Sequence, residues 1–434
     1  MTTLLSDSFT ERLGLRQHLP LLIVGISAGV IGAIYLGALH ILQRWFWPDN
    51  TSLLLQTILL VATGILISGV TRWLGPGGNV ELLVDNIHVL GAASTDKGDR
   101  ALVPVSLLGI SVGSTLGPEA PLVQTCGTMG TWVARRMKLP PPDVRVLTIV
   151  GMAAGFTVLF GTPVGASIFA LEVLHRRGLE YYEALLPSLV GGLCGYAVFV
   201  VSTRLGMRPV WSFDPVGTIA PADLGAAVLA GVAGAAIGWA FALLVRATGP
   251  ATSRLPVWML PTFGGIGMAA LGLWSPYGLT FGEHQLPDLL VPGLAASALV
   301  VAMVAKLCGA VVCLTGRWKG GFIIPLFFCG AAAGQLMANV IPWSGETVLI
   351  TAAMAAAVAG VMKTPLGAPL VVAGMSGLAM LPTALIASIV ALALTRQITV
   401  IGSQRSRASD EALPAGTDVA YPGPSTESPP PSAQ

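Results

Sequence analysis

Charge is scarce in this 434-residue chain: Asp, Glu, Lys and Arg together make up 10% of it, where a soluble domain carries about a quarter. A water-facing surface cannot be covered with so little, so a soluble globular fold is excluded. The net charge is +2 and the 23 basic residues are scattered over short connections such as Arg135, Arg136 and Lys138, which excludes a nucleic-acid surface. Cysteine is rare. Cys126, Cys194, Cys308, Cys313 and Cys329 all fall in apolar stretches without ligand spacing, so no disulfide framework or zinc site is expected. His18, His40, His88, His175 and His284 show no paired spacing, and residues 75–78 (GPGG) lack the lysine of a phosphate loop. No metal or cofactor is expected, and no enzymatic activity, because clustered acids, histidines or cysteines at depth are missing. No cleavable signal is expected either, because the first apolar stretch is too long for one.

What is abundant is hydrocarbon. Apolar residues make up 54% of the chain and the mean hydropathy is +0.77. Runs of the roughly 20 residues needed to cross a bilayer occur at 19–42, 53–70, 147–174, 224–245, 295–314 and 366–394. Residues 103–133 and 321–341 give shorter, glycine-broken segments. Residues 1–18 read as a cytoplasmic or interfacial segment and 402–434, polar and proline-rich, as a disordered tail with no soluble regulatory domain after it.

The chain also repeats itself. A shift of 202 positions lays Met152-Ala153-Ala154 on Met354-Ala355-Ala356 and Thr162-Pro163-Val164-Gly165-Ala166 on Thr364-Pro365-Leu366-Gly367-Ala368. Pro121-Leu122 with Cys126-Gly127, and Pro325-Leu326 with Cys329-Gly330, agree within two residues of that shift. This predicts two related membrane units, 19–210 and 211–401.

Repeated membrane halves build transport sites where corresponding helices are broken. Here the breaks are residues 113–121 (GSTLGPEAP) and 316–325 (GRWKGGFIIP), glycine-rich turns ending in a proline that suits the first turn of a helix. Such a helix start leaves backbone N–H groups unpaired and carries roughly half a positive charge, which an anion satisfies. Glu119 sits at the first break. A carboxylate there is costly unless it serves the pathway; ionised it occupies the anion's place, protonated it swings away. The alternative is a capping carboxylate that never moves.

Gly117-Pro118-Glu119-Ala120-Pro121 resembles the G-[KR]-E-G-P motif of the CLC family of chloride channels and chloride/proton exchangers. Gly320-Gly321-Phe322-Ile323-Ile324-Pro325 resembles that family's G-G-x-F-x-P motif, Lys306 stands where a basic residue commonly precedes it, and residues 161–172 resemble the x-x-P-x-x-G…E segment. The resemblance spans roughly residues 19–400. It implies an all-α polytopic membrane protein of two inverted-repeat halves, some eighteen broken and tilted helices, assembled as a homodimer with one pore per subunit in a bacterial inner membrane. It also implies chloride or a similar small anion as cargo, with protons as a second cargo in exchangers. The gating residue is then Glu119, with Gly117, Phe322 and Ile323 lining the anion site.

Several positions depart from the family pattern. Gly77 stands where the family has an anion-binding serine. No tyrosine lies near residues 396–400, leaving Thr399 as the nearest hydroxyl. Pro118 replaces the base before the gating glutamate. Val173 occupies the place of the exchangers' inner proton-transfer glutamate, beside Glu172, so a passive channel is the favoured expectation, with an exchanger, or selectivity for fluoride or nitrate, as the alternatives. Glu172 and Lys306 either face aqueous vestibules or are paired structural charges, and Lys363 is expected to snorkel to an interface. A carrier of larger organic anions would need arginine forks, and only Arg317 lies close in sequence to either break.

Overall fold

The computed structural model describes residues 15–46, 52–75, 80–89, 91–93, 101–175, 181–203, 211, 213, 218–291 and 293–404. Gly77, most of the N-terminal segment and the tail from residue 405 lie outside them. Among the described residues there are sixteen α-helices and no strand. In the first half they are α1 (Leu15–Phe46), α2 (Leu53–Leu74), α3 (Val80–Val89), α4 (Leu102–Ser111), α5 (Glu119–Arg136), α6 (Pro141–Phe160), α7 (Pro163–Glu172) and α8 (Leu185–Thr203). The second half holds α9 (Pro221–Thr252), α10 (Leu260–Trp274), α11 (Leu286–Leu289), α12 (Ala296–Thr315), α13 (Ile323–Ala338), α14 (Glu346–Met362), α15 (Gly367–Ser376) and α16 (Leu381–Leu394).

Seven helical stretches among the described residues are long and apolar enough to cross a bilayer, including Tyr182–Ser202 and Val257–Trp274, which hydropathy runs alone did not single out. Two expected spans are each a pair of shorter helices. Residues 147–174 break at Gly161, whose φ of +70° caps α6, and residues 366–394 break at Gly377, φ +99°, after α15. Hydropathy is blind to a one-residue turn that glycine makes without steric cost.

The helix order is the same twice over. The 32-residue α1 packs on α6 and α8 as the 32-residue α9 packs on α14 and α16, and α5 lies along α6 as α13 lies along α14. The halves meet through α2 on α10 and α7 on α15. The α7–α15 approach depends on glycine: a Cβ on Gly165 would stand 2.6 Å from the Val371 nitrogen, and one on Gly367 2.5 Å from the Phe169 Cα. Small residues at crossings let membrane helices associate by close packing where burial of hydrocarbon gives no net drive.

Two buried polar side chains serve this framework. Lys363 is buried, not at an interface as expected; it ends α14 with φ +63°, and its ammonium donates to the carbonyls of Gly360 and Thr395 at 2.7 and 2.6 Å. The helix end offers unpaired carbonyls, which hold the ammonium more firmly than a distant interface would. Gln404, expected in the tail, is also buried and donates from its amide to the carbonyls of Val173 and Met362, at 2.9 and 2.8 Å.

Candidate anion site and gate

The two glycine-rich turns that interrupt the halves meet. Gly117 N–H donates to the Gly321 carbonyl at 2.7 Å and Gly321 N–H returns the bond to Gly117 at 2.8 Å, a single antiparallel bridge joining the halves at depth. The missing side chain at Gly117 leaves room for the Glu119 carboxylate, which a Cβ there would strike.

The first-half turn is braced by the second half. Thr280 N–H donates to Gly113 O at 2.9 Å, and Thr115 Oγ1 donates to Gly278 O at 2.5 Å. Lys306, fully buried, holds the connection that makes those bonds, donating to Leu279 O, Thr280 O and Gln285 Oε1 at 3.0, 2.8 and 2.7 Å, with its ammonium 4.6 Å from the Phe328 ring centre. Lys306 is therefore a structural cation rather than a vestibule residue. The second turn is anchored by Trp318, whose indole N–H reaches Pro261 O at 2.9 Å.

Glu119 opens α5 and is completely buried, yet its carboxylate reaches across to the other half: Oε1 accepts from the Ile324 N–H at the start of α13, at 2.5 Å. It lies where the positive end of α13 would receive an anion. Ile323 and Phe322, the expected amide donors to an anion, sit at the same helix start. Ile324 had no sequence signal of its own, since the amide facing the gate depends on the phase at which the turn enters the helix.

Two cavities flank this junction. The smaller, of about 20 Å³, is lined by Glu119, Leu83, Val84, Met152, Phe156, Val173, Ile323 and Met362 among others; Glu119 is the only ionisable side chain among the described residues of its lining. The larger, of about 540 Å³, lies beyond Ala120 and Phe322, which line both. Val173, expected at an inner vestibule, lines the same cavity as Glu119. Thr399 is not among the lining residues of either; Val400 and Ile401 line the larger cavity.

Of the two readings of Glu172, the geometry fits the paired structural charge. Its side chain is buried and caps the other half's α15, accepting from Gly367 N–H at 2.7 Å and from Leu366 N–H at 3.1 Å. Glu119 and Glu172 are each a carboxylate from the first half seated on a helix start of the second.

A many-helix membrane protein whose two broken-helix turns meet at depth, with a buried carboxylate on a helix start, belongs to the class of membrane transport proteins that pass small anions. The sequence profile described as voltage gated chloride channel matches residues 101–396, and the chain belongs to that family, the CLC family. A chloride/fluoride channel protein of Pseudomonas syringae pv. tomato is 26% identical over 420 residues, covering 92% of this chain and 88% of that protein. The fold matches a CLC-type fluoride/proton antiporter with a TM-score of 0.78 at 21% identity, over 92% of this chain and all of that one. It also matches a slow cyanobacterial Cl⁻/H⁺ antiporter with a TM-score of 0.76 at 20% identity, over 89% and 96%. The protein is a CLC-type transporter of inorganic anions.

Proposed function

We propose that this protein conducts chloride, or a similar small anion, passively through a pore in each subunit of a homodimer in a bacterial inner membrane, gated by Glu119 and without proton exchange or enzymatic chemistry. The observation that carries the uncoupled reading is the wall of the gating cavity. A proton leaving Glu119 toward Val173 meets Leu83, Val84, Met152, Phe156 and Met362 in a space of about 20 Å³, room for roughly one water, with no second titratable side chain among the described residues of the lining. Glu172, the neighbouring carboxylate in sequence, is bound to the amides of Leu366 and Gly367.

The name of the Pseudomonas relative speaks for chloride and fluoride as cargoes of that protein, and this chain is read as accepting chloride with fluoride as the first competitor. The test is flux from liposomes holding purified protein. Chloride release on valinomycin addition, with no uphill proton movement, supports the reading; proton uptake in fixed proportion to chloride release rules it out. Cross-linking in native membranes tests the dimer, with a ladder ending at two subunits expected.

A further inference from the structure

Where α2 ends and α10 begins, the molecule presents positive charge with no acid to meet it. The span Leu53–Leu74 finishes and the span Val257–Trp274 starts at one level, because the Arg72 guanidinium lies 4.6 Å from the ring centre of Trp258. The two helices are locked together there: Thr262 N–H donates to Ser68 Oγ at 3.0 Å, and a Cβ on Gly64 would stand 2.6 Å from the Pro261 carbonyl oxygen. Arg72, Trp73 and Trp258 are exposed, as is Arg254 in the connection leading to Trp258. No ion pair joins Arg72 or Arg254 to a carboxylate among the described residues, and residues 53–80 and 224–282 contain neither Asp nor Glu. Further along the same two helices the exposed side chains are hydrocarbon, Ile65 and Leu66 on α2 and Phe263 and Ile266 on α10.

An arginine fork matches a phosphate, tryptophan rings settle at headgroup level, and exposed hydrocarbon below them takes acyl chains. We propose that this edge binds an anionic phospholipid, its phosphate on Arg72 with Arg254 adding a second charge and its chains along α2 and α10, and that occupancy raises the rate of anion transport. The route to the gate runs through the first turn of α10. Pro261, in that turn, accepts from the indole N–H of Trp318 at 2.9 Å, and Trp318 belongs to the turn whose Gly321 is bonded to Gly117 beside Glu119. A headgroup that pins the start of α10 thereby steadies the second-half turn that presents the α13 amides.

Native mass spectrometry of the purified protein with phosphatidylglycerol or phosphatidylcholine added reads the binding. Chloride efflux from phosphatidylcholine liposomes, with and without a minor share of phosphatidylglycerol, reads its consequence. The wild type should retain phosphatidylglycerol over phosphatidylcholine, and Arg72→Gln should retain about fivefold less of it, the factor one basic side chain supplies near an anionic surface. Arg72→Lys should keep most of the binding, since an ammonium also meets a phosphate. Wild-type efflux should be faster in the mixed bilayer, whereas general repulsion of chloride by an anionic surface acts in the opposite direction and on every variant alike. In Arg72→Gln combined with Arg254→Gln that gain should vanish. Trp318→Phe, which keeps a ring but not the indole donor, should retain the lipid and yet lose the gain. Equal retention of the two lipids by the wild type, undiminished retention in the double variant, or a gain in efflux that survives in either the double variant or Trp318→Phe would overturn the proposal. Displacement of the lipid by inorganic phosphate would overturn it too, because an occupant without chains would then suffice. Retention does not depend on the anion-transport reading, so efflux absent from both bilayers would overturn that reading while retention still decides the site.

Discussion

At the scale of single residues, the proposed gate is a competition between the Glu119 carboxylate, which accepts from the Ile324 amide, and an incoming anion. Glu119 loses its hold when protonated, because a neutral carboxyl is a weaker acceptor than the ionised one. Efflux through the wild type is therefore expected to rise as pH falls, whereas Glu119→Gln should be fast and flat across the same range, and Glu119→Ala likewise. A Glu119→Gln protein retaining the wild-type pH profile would place the sensor elsewhere. Glu172 is a contrasting case. Its carboxylate is a helix cap, so Glu172→Ala should cost about 1–2 kcal/mol of stability in detergent, read as a lowered melting temperature, while leaving the ratio of proton to chloride flux unchanged. Glu119 and Val173 were legible from sequence because motif position alone locates them. The partners of Glu172, Lys306 and Lys363 were not, since each bonds backbone groups 26 or more residues away, or a carbonyl exposed only because a helix happens to end there.

Among elements, short helices decide the site and long ones decide the membrane. Periodicity and hydropathy found the broken segments around residues 113–121 and 316–325, and the internal repeat showed that they correspond. They could not show that α7 and α15 cross nearly backbone to backbone. That crossing gives a paired prediction. At Gly165 a Cβ would meet main-chain atoms of Leu370 and Val371, which cannot yield, while at Gly225 of α9 it would meet nothing within 4 Å. Gly165→Ala should sharply reduce the yield of monodisperse protein on size exclusion, whereas Gly225→Ala should raise stability by about 0.5–1 kcal/mol through helix propensity. Equal behaviour of the two would remove the close crossing from the account.

For the whole molecule, the halves are joined by bonds that neither makes alone: Gly117 with Gly321, Glu119 with Ile324, and Glu172 with Gly367. Residues 1–210 and 211–434 expressed as separate chains in one cell should therefore assemble and restore anion efflux, and each alone should give none. Transport by a single half would contradict the shared site. The all-α architecture and its doubling were legible from composition and repeat, because both are sums over many residues; the depth at which the turns meet was not, because it is set by a few contacts distant in sequence. The reciprocal Gly117–Gly321 bonds have a kinetic corollary. In the proposed channel, turns fastened to one another across the interface oppose rocking of the halves, a motion that takes microseconds to milliseconds, and leave rotation of the Glu119 side chain as the gating movement. Turnover is then limited by how often an ion arrives, and cooling should slow it little more than it slows diffusion in water.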